Sequence, residues 1–177
     1  MSPDESSGPD LQLSGPDLDG VVVDANAVGL EYVVIGGFSV IANGYLRATD
    51  DSDLLVPDDP ETNDAIGRFL DRAGATRLYD GKRLTHQEIA DAHHLRVNSR
   101  HGIIDIMRGG LPPLDFDTVA QRALLIDIGD QQARVANLHS IVGFKRLAGR
   151  PRDRHDLAEL EAFHGSLPIE PIPGLDT

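Results

Sequence analysis

The chain has 177 residues and a formal net charge of −13, with 40% hydrophobic and 25% charged residues. This composition is typical of a globular protein with room for one domain and a small appendage. The absence of cysteine excludes disulfide frameworks, thiolate zinc sites, iron–sulfur clusters and cysteine nucleophiles. No segment approaches the roughly 18 apolar residues of a membrane-spanning helix, and the N-terminal segment lacks the basic and apolar parts of a secretory signal. We therefore expect a cytoplasmic protein with no membrane partner.

The negative charge is concentrated in two segments. Residues 1–20 hold five acids and residues 50–64 hold seven, and neither segment contains Lys or Arg. Near the C-terminus there is a basic cluster, made up of Lys145, Arg146, Arg150, Arg152 and Arg154. The acidic total argues against a broadly basic nucleic-acid-binding surface. The uneven distribution still allows a local positive face that could meet a polyanionic substrate.

Hydrophobic patterning and turn residues predict the first half of the chain. Residues 1–16 combine Pro, Gly, Ser and acids, so a disordered acidic tail is expected there. The next predicted elements are a helix over 17–29, a strand over 31–35, a short helix over 38–43, a strand over 52–56 and a helix over 60–73.

The second half of the chain reads as short strands followed by helices. The polar segment 81–92 is predicted to be an exposed loop. Strands are predicted at 76–79, 94–97 and 103–107, a short helix at 116–121, a hairpin from 123–128 and 133–135, and helices at 137–148 and 152–164.

These elements predict an α+β fold with a mixed β-sheet core flanked by helices. We place that core at residues 17–135. A C-terminal helical pair packed on the core would occupy 136–164, and a Pro-rich tail would occupy 165–177.

The second predicted strand carries alternating carboxylates. Asp51 and Asp53 project from one face of it, with Arg47 and Thr49 in line behind them. Close carboxylates repel and raise each other's pKa unless a cation lies between them, and Mg²⁺ readily binds carboxylate and phosphate oxygens. Asp105, at the centre of a later apolar strand, is a third candidate ligand. Taken alone, an Asp-Ser-Asp sequence is more often a solvated acidic loop.

The carboxylates belong to a longer ordered pattern. A β-branched strand is followed by a Gly-Gly turn, a short helix, a carboxylate strand and an apolar triplet, in the form Gly36-Gly37 … Arg47-x-Thr49-x-Asp51-x-Asp53-Leu54-Leu55-Val56. This pattern resembles the DNA polymerase β-type nucleotidyltransferase superfamily. It is most similar to the small bacterial branch of AbiEii- and MenT-like toxins, over residues 31–163, or about three quarters of the chain.

The resemblance implies a nucleotidyltransferase core that moves a nucleoside monophosphate from an NTP, such as ATP, to a hydroxyl and releases pyrophosphate. Asp51, Asp53 and Asp105 would be the catalytic residues and would ligate two Mg²⁺ ions, for which Mn²⁺ could substitute, and Asp105 would also act as the base. The residues that the resemblance implies in nucleotide binding are Gly36, Gly37, Ser39, Arg47, Thr49, Lys145 and Arg150. Without the resemblance, a plain tight turn is the alternative interpretation of the two glycines.

The C-terminal helices carry a second part of the resemblance. Lys145 follows apolar positions at three- and four-residue spacing, so it faces inward, where a lysine must snorkel or meet anions. Asp153 also faces inward and could pair with Lys145 or Arg150. The family pattern implies a phosphate contact for Lys145 and structural roles for Asp153 and Asp156, whereas a solvated basic face is the alternative.

Neither the acceptor nor the catalytic state follows from these motifs. The toxin-like branch implies an RNA acceptor, at the 3′ end of a tRNA, and an antitoxin partner. A small cationic antibiotic such as an aminoglycoside would suit an acidic cleft better, and 5% aromatic residues do not favour a stacking platform for single strands. A non-catalytic module that binds nucleotide or a partner is the third alternative. The histidines show no metal-ligand spacing and are interpreted as surface or structural residues.

Overall fold

The computed structural model describes residues 15–176. The predicted tail over 1–16 lies outside this range apart from its last two residues. Within the described range the helices are α1 (Leu18–Ala27), α2 (Gly36–Ala42), α3 (Pro60–Arg72), α4 (His86–Asp91), α5 (Phe116–Arg122), α6 (Leu138–Ala148) and α7 (Pro151–His164). The strands are β1 (Val33–Ile35), β2 (Asp51–Val56), β3 (Thr76–Arg77), β4 (His94–Ser99), β5 (Gly102–Arg108), β6 (Leu124–Ile128) and β7 (Gln131–Val135).

The strands form one mixed sheet in the order β3-β4-β5-β2-β1-β7-β6. Strand β2 runs parallel to β5, and β1 runs parallel to β7, whereas the other neighbours are antiparallel. With helices on both faces, this sheet confirms the predicted α+β class, and α6 and α7 are the predicted C-terminal pair. The domain limits proposed from the sequence stay predictions.

Alternation along the strands separates two hydrophobic cores. On β2, Leu54 and Val56 pack into the first core, which α1, α3 and α4 complete, while Leu55 packs into a second core with residues of α2, α5, α6 and α7. Burying one large apolar side chain contributes about 1.5–3 kcal/mol. Because strand side chains have a period of two, Asp51 and Asp53 lie on the same face as Leu55 and point toward the second core and its helices.

Helix α3 shows how local signals fix an element. Asp59 caps it by accepting a hydrogen bond from the Thr62 amide at 2.7 Å, and Pro60 occupies its first turn. Its apolar stripe of Ile66, Phe69 and Leu70 is buried, as the spacing predicts.

The prediction of an exposed loop over 81–92 is wrong, because α4 lies within it. Thr85 and Glu88 form a capping box: the Thr85 hydroxyl accepts from the Glu88 amide at 3.2 Å, and the Glu88 carboxylate accepts from the Thr85 amide at 2.7 Å. Ile89 is the one buried residue of this helix, so the sequence has no apolar periodicity that would predict α4. In residues 15–176 no helix has both the length and the hydropathy to cross a membrane.

Candidate active site

A cavity of about 550 Å³ opens between the second face of the sheet and the α6–α7 pair. All ten residues proposed from the sequence for catalysis or nucleotide binding line it. These are Asp51, Asp53, Asp105, Gly36, Gly37, Ser39, Arg47, Thr49, Lys145 and Arg150. The structure therefore brings together residues that are up to 114 positions apart, from Gly36 to Arg150. Their roles stay predictions.

The three aspartates converge because β2 and β5 are adjacent parallel strands. Asp53 and Asp105 are direct neighbours in the strand register, and Asp51 lies two residues earlier on the same face of β2. One carboxylate oxygen of each aspartate lies within 4.8 Å of those of the other two. This spacing allows one cation to touch several of the carboxylates at once.

The electrostatics of the cluster favour a bound cation. Burial raises the pKa of Asp53 to about 7, assisted by the charges of Asp51 and Asp105, although the Lys145 charge and a hydrogen bond from the Gly37 amide act in the opposite direction. Burial also raises the pKa of Asp105, against a hydrogen bond from His94 and the charge of Arg96. A cluster of hard oxygen donors in which ionisation is costly fits Mg²⁺ well.

Two basic side chains of β4 complete the cluster, and sequence reasoning missed both. His94 Nε2 lies 2.6 Å from Asp105 Oδ1, and Arg96 forms an ion pair with Asp105 and one of 3.0 Å with Asp51. The histidine spacing predicts a surface or structural role for His94, and no motif marks Arg96. The available signal was the His94-x-Arg96 alternation, which places both side chains on one face of the strand. The register of β4 with β5 was needed to bring that face to Asp105.

The Gly-Gly turn is fitted closely to the carboxylate strand. Gly36 has a φ of +64°, and a Cβ atom there would overlap the Asp53 carboxylate. A Cβ at Gly37 would overlap the Thr49 side chain. Ser39 is buried, and its hydroxyl donates to the Gly36 carbonyl at 2.6 Å, so it braces the turn. The phosphate contact expected of Ser39 stays a prediction.

The Gly36→Ala substitution is expected to lower the free energy of unfolding by about 3 kcal/mol or more, because left-handed backbone strain adds to a collision with Asp53. Gly74→Ala is the matched control. Gly74 has nearly the same φ, +62°, but no atom lies within 4 Å of its added Cβ. The control should lose only the stability that left-handed strain costs, about 1–2 kcal/mol, measured by urea denaturation. Equal losses in the two variants would contradict the close fit.

A buried charge network joins the helical pair to the segment before β2. Lys145 Nζ lies 3.0 Å from Asp153 and 2.8 Å from Asp156. Arg150 pairs with Asp153 at 2.7 Å, and Arg47 pairs with Asp156 at 2.8 Å. Both aspartate side chains are fully buried. Burial opposes ionisation of Asp153, but hydrogen bonds from Arg150 and Lys145 hold its pKa at about 2. Asp153 thus pairs with both cations that the sequence offered as alternatives.

In EDTA, the contribution of Asp53 to the stability of the protein is expected to fall between about pH 4 and about pH 7. The pKa of Asp53 is raised from 3.8 to about 7. Its protonated form therefore stabilises the fold below the unfolded pKa, and this contribution is lost as the pH rises through the folded value. Asp53→Asn should flatten the pH profile and stabilise the protein at about pH 8 by roughly 2 kcal/mol, measured by thermal melting.

The matched control for this pH experiment is Asp71→Asn on α3. The Asp71 side chain is 69% exposed and lies outside the cavity. This variant should keep the wild-type pH profile. If the wild-type and Asp53→Asn profiles have the same slope, the raised pKa of Asp53 is refuted.

Solved structures with a similar fold include two that cover most of this chain. ANT(2″)-Ia in complex with adenylyl-2″-tobramycin has a TM-score of 0.55 and 12% identity, covering 84% of this chain and 87% of that chain. An antigenic nucleotidyltransferase-like protein from Paracoccidioides brasiliensis has a TM-score of 0.52 and 13% identity, covering 82% and 75%. No family model matches the sequence, and no match is found among curated proteins.

These likenesses establish the class of fold. The chain has a nucleotidyltransferase fold, as the sequence resemblance implied, with the carboxylate cluster on the sheet face that carries the cavity. Membership of the AbiEii- and MenT-like branch stays a prediction.

Proposed function

We propose that the protein is a magnesium-dependent nucleotidyltransferase that moves a nucleoside monophosphate from an NTP, such as ATP, to a hydroxyl acceptor. The observation that carries this proposal is the convergence of Asp51, Asp53 and Asp105 beside the Gly36-Gly37 turn in one cavity. The opposite wall of that cavity, formed by α6, α7 and the turn between them, contributes Lys145, Arg150 and Arg152, which suit a triphosphate.

Asp51, Asp53 and Asp105 would hold two Mg²⁺ ions, or Mn²⁺ in their place. When bound, such ions neutralise charge on the phosphate oxygens and lower the pKa of an attacking hydroxyl. The donor set supports this assignment, because it consists of carboxylate oxygens alone and contains no soft ligand.

The reaction would proceed by attack of the acceptor oxygen on the α-phosphorus. A new phosphorus–oxygen bond forms, the bond to the bridging oxygen breaks, and pyrophosphate leaves with that electron pair. The hydroxyl proton would pass to the Asp105 carboxylate, which His94 orients through its 2.6 Å contact. Most of the rate would come from positioning and electrostatics, as is general for phosphoryl transfer.

The chain's own groups would position the nucleotide. Gly36 and Gly37 line the cavity, and their backbone would approach the phosphates. The Arg150 side chain, 72% exposed, reaches the cavity and would contact the triphosphate. Lys145 would assist from a fixed place, because its ammonium is held by Asp153 and Asp156 and its charge favours ionised Asp53.

For the acceptor we propose RNA, at the 3′ end of a tRNA. The supporting observation is that Arg150 and Arg152 line the cavity and have side chains that are 72% and 53% exposed. Such exposed cations suit the phosphate backbone of an incoming strand. An antitoxin partner belongs to this proposal and stays a prediction with it.

A small cationic acceptor is the second candidate. The formal charge of −13 would attract a polycationic substrate. The similar fold of ANT(2″)-Ia, which was solved with an adenylylated tobramycin, favours the same candidate. An aminoglycoside is therefore the second acceptor to be tested.

The test is incorporation of label from each α-labelled NTP, with Mg²⁺, into total bacterial RNA and into a set of aminoglycosides. The Asp51→Ala/Asp53→Ala variant serves as the blank. We expect label on a tRNA-sized product, and label on an aminoglycoside would instead support the second candidate. Magnesium-dependent NTP binding without turnover on any acceptor would favour the non-catalytic module.

A further inference from the structure

The Arg96 guanidinium lies within the carboxylate cluster. Its Nη1 atom is 3.0 Å from Asp51 Oδ2 and also contacts Asp105 Oδ2. These two aspartates belong to different strands, so Arg96 bridges β2 and β5 from β4. One positively charged group therefore joins two of the three carboxylates that converge in the cavity.

The strand register fixes this placement. Arg96 is the direct neighbour of Asp105 across the antiparallel β4–β5 pair, and Asp105 is the direct neighbour of Asp53 across the parallel β5–β2 pair. The three side chains consequently form a row across the same face of three strands. Arg96 is thus positioned by the sheet itself and not by a flexible loop.

Among residues 15–176, Arg96 is the only Arg or Lys side chain within ion-pair distance of the three aspartates, and the His94 imidazole is a further contact of Asp105. Close carboxylates repel one another, and the positive charge of Arg96 offsets this repulsion in the folded protein. The Arg96 side chain is 42% exposed. It can therefore move toward solvent without unpacking either core.

Arg96 and a divalent cation compete for the same groups. A metal ion shared by Asp51 and Asp105 needs their oxygen lone pairs as ligands, and it is repelled by a guanidinium among them. We infer that Arg96 is a built-in counter-ion that a divalent cation displaces, so that this residue sets the affinity of the site for metal. The inference rests on the metal site of the proposed function and adds a residue that controls it.

The test uses Mn²⁺ alone, titrated into the full chain without nucleotide and followed by the electron paramagnetic resonance of free Mn²⁺. Arg96→Gln is expected to bind Mn²⁺ about tenfold more tightly than the wild type, because one competing ion pair is removed. Arg152→Gln is the control. Arg152 also lines the cavity but pairs with Asp50 at 3.2 Å, so its loss should tighten binding by less than about threefold.

Thermal melting separates this role from a purely structural one. Arg96→Gln should melt lower than the wild type in EDTA and should gain more from saturating Mn²⁺. A residue that only braces the sheet would lower both melting temperatures equally. If Arg96→Gln does not fold, Arg96→Lys replaces it. An ammonium lacks the planar fork of a guanidinium and pairs less well with two carboxylates. The Arg96→Lys variant should therefore still bind Mn²⁺ about threefold more tightly than the wild type.

Three results would overturn the inference. An unchanged or weaker Mn²⁺ affinity in the Arg96 variants, with normal binding by the wild type, refutes the role of Arg96 and leaves the proposed function standing. An equal gain in Mn²⁺ affinity in Arg152→Gln would mean that any positive charge lining the cavity has the same effect, and this also refutes the specific role of Arg96. Absence of Mn²⁺ binding from the wild type and every variant refutes both the counter-ion and the metal site of the proposed enzyme.

Discussion

The Asp51→Ala/Asp53→Ala double variant is expected to lose at least about a thousandfold in nucleotide transfer, since it removes two of the three carboxylates that would hold the catalytic ions. The fold should survive, because neither side chain belongs to a hydrophobic core. Removing Asp53, whose ionised form is costly in the folded protein, should even stabilise the metal-free state near neutral pH. The measurement is the rate of pyrophosphate release together with product formation.

The charge-matched control is Asp64→Ala/Asp71→Ala on α3. Both side chains are mainly exposed, at 66% and 69%, and neither lines the cavity. This variant loses the same two negative charges and should keep wild-type turnover. Circular dichroism must show that both double variants are folded. Turnover that persists in the folded Asp51→Ala/Asp53→Ala variant would rule out the carboxylate cluster as the catalytic centre.

Local chemistry explains why much of the site could be predicted. Asp51 and Asp53 lie on one strand at a spacing of two, and Gly36-Gly37 directly follows β1, so these residues required only short-range reasoning. Asp105 was found because a charge in the middle of an apolar strand is conspicuous. Resemblance to an ordered family pattern then joined three segments that periodicity alone could not bring together.

The residues that were missed depend on strand register and on long-range pairing. Arg96 and His94 meet Asp105 only because β4 aligns with β5 residue by residue, and a single sequence carries no signal for that alignment. The ion pair between Arg47 and Asp156 joins residues 109 positions apart. By contrast, the pairing of Lys145 with Asp153 spans eight positions across the turn between α6 and α7, and inward-facing positions on both helices predicted it.

The Lys145→Met substitution is expected to lower the free energy of unfolding by about 2–3 kcal/mol. Lys145 lies between Asp153 and Asp156, and the side chains of both aspartates are fully buried. Removing its ammonium leaves Asp153 with Arg150 and Asp156 with Arg47, each short of one partner inside the protein. Each aspartate keeps an arginine, so the cost is that of one lost partner per buried carboxylate, which still exceeds the contribution of a surface ion pair. Urea denaturation at neutral pH measures the loss.

Lys82→Met provides the control, because Lys82 is the other lysine of the chain and is exposed. It should change the stability by less than about 0.5 kcal/mol. Adding Asp156→Asn to Lys145→Met should cost less than the sum of the two single losses, because one buried charge is removed with its partner. Unchanged stability with a raised KM for the NTP would instead make Lys145 a phosphate ligand alone. A loss of stability together with a raised KM for the NTP would mean that the Lys145 ammonium organises both the helical pair and the nucleotide site.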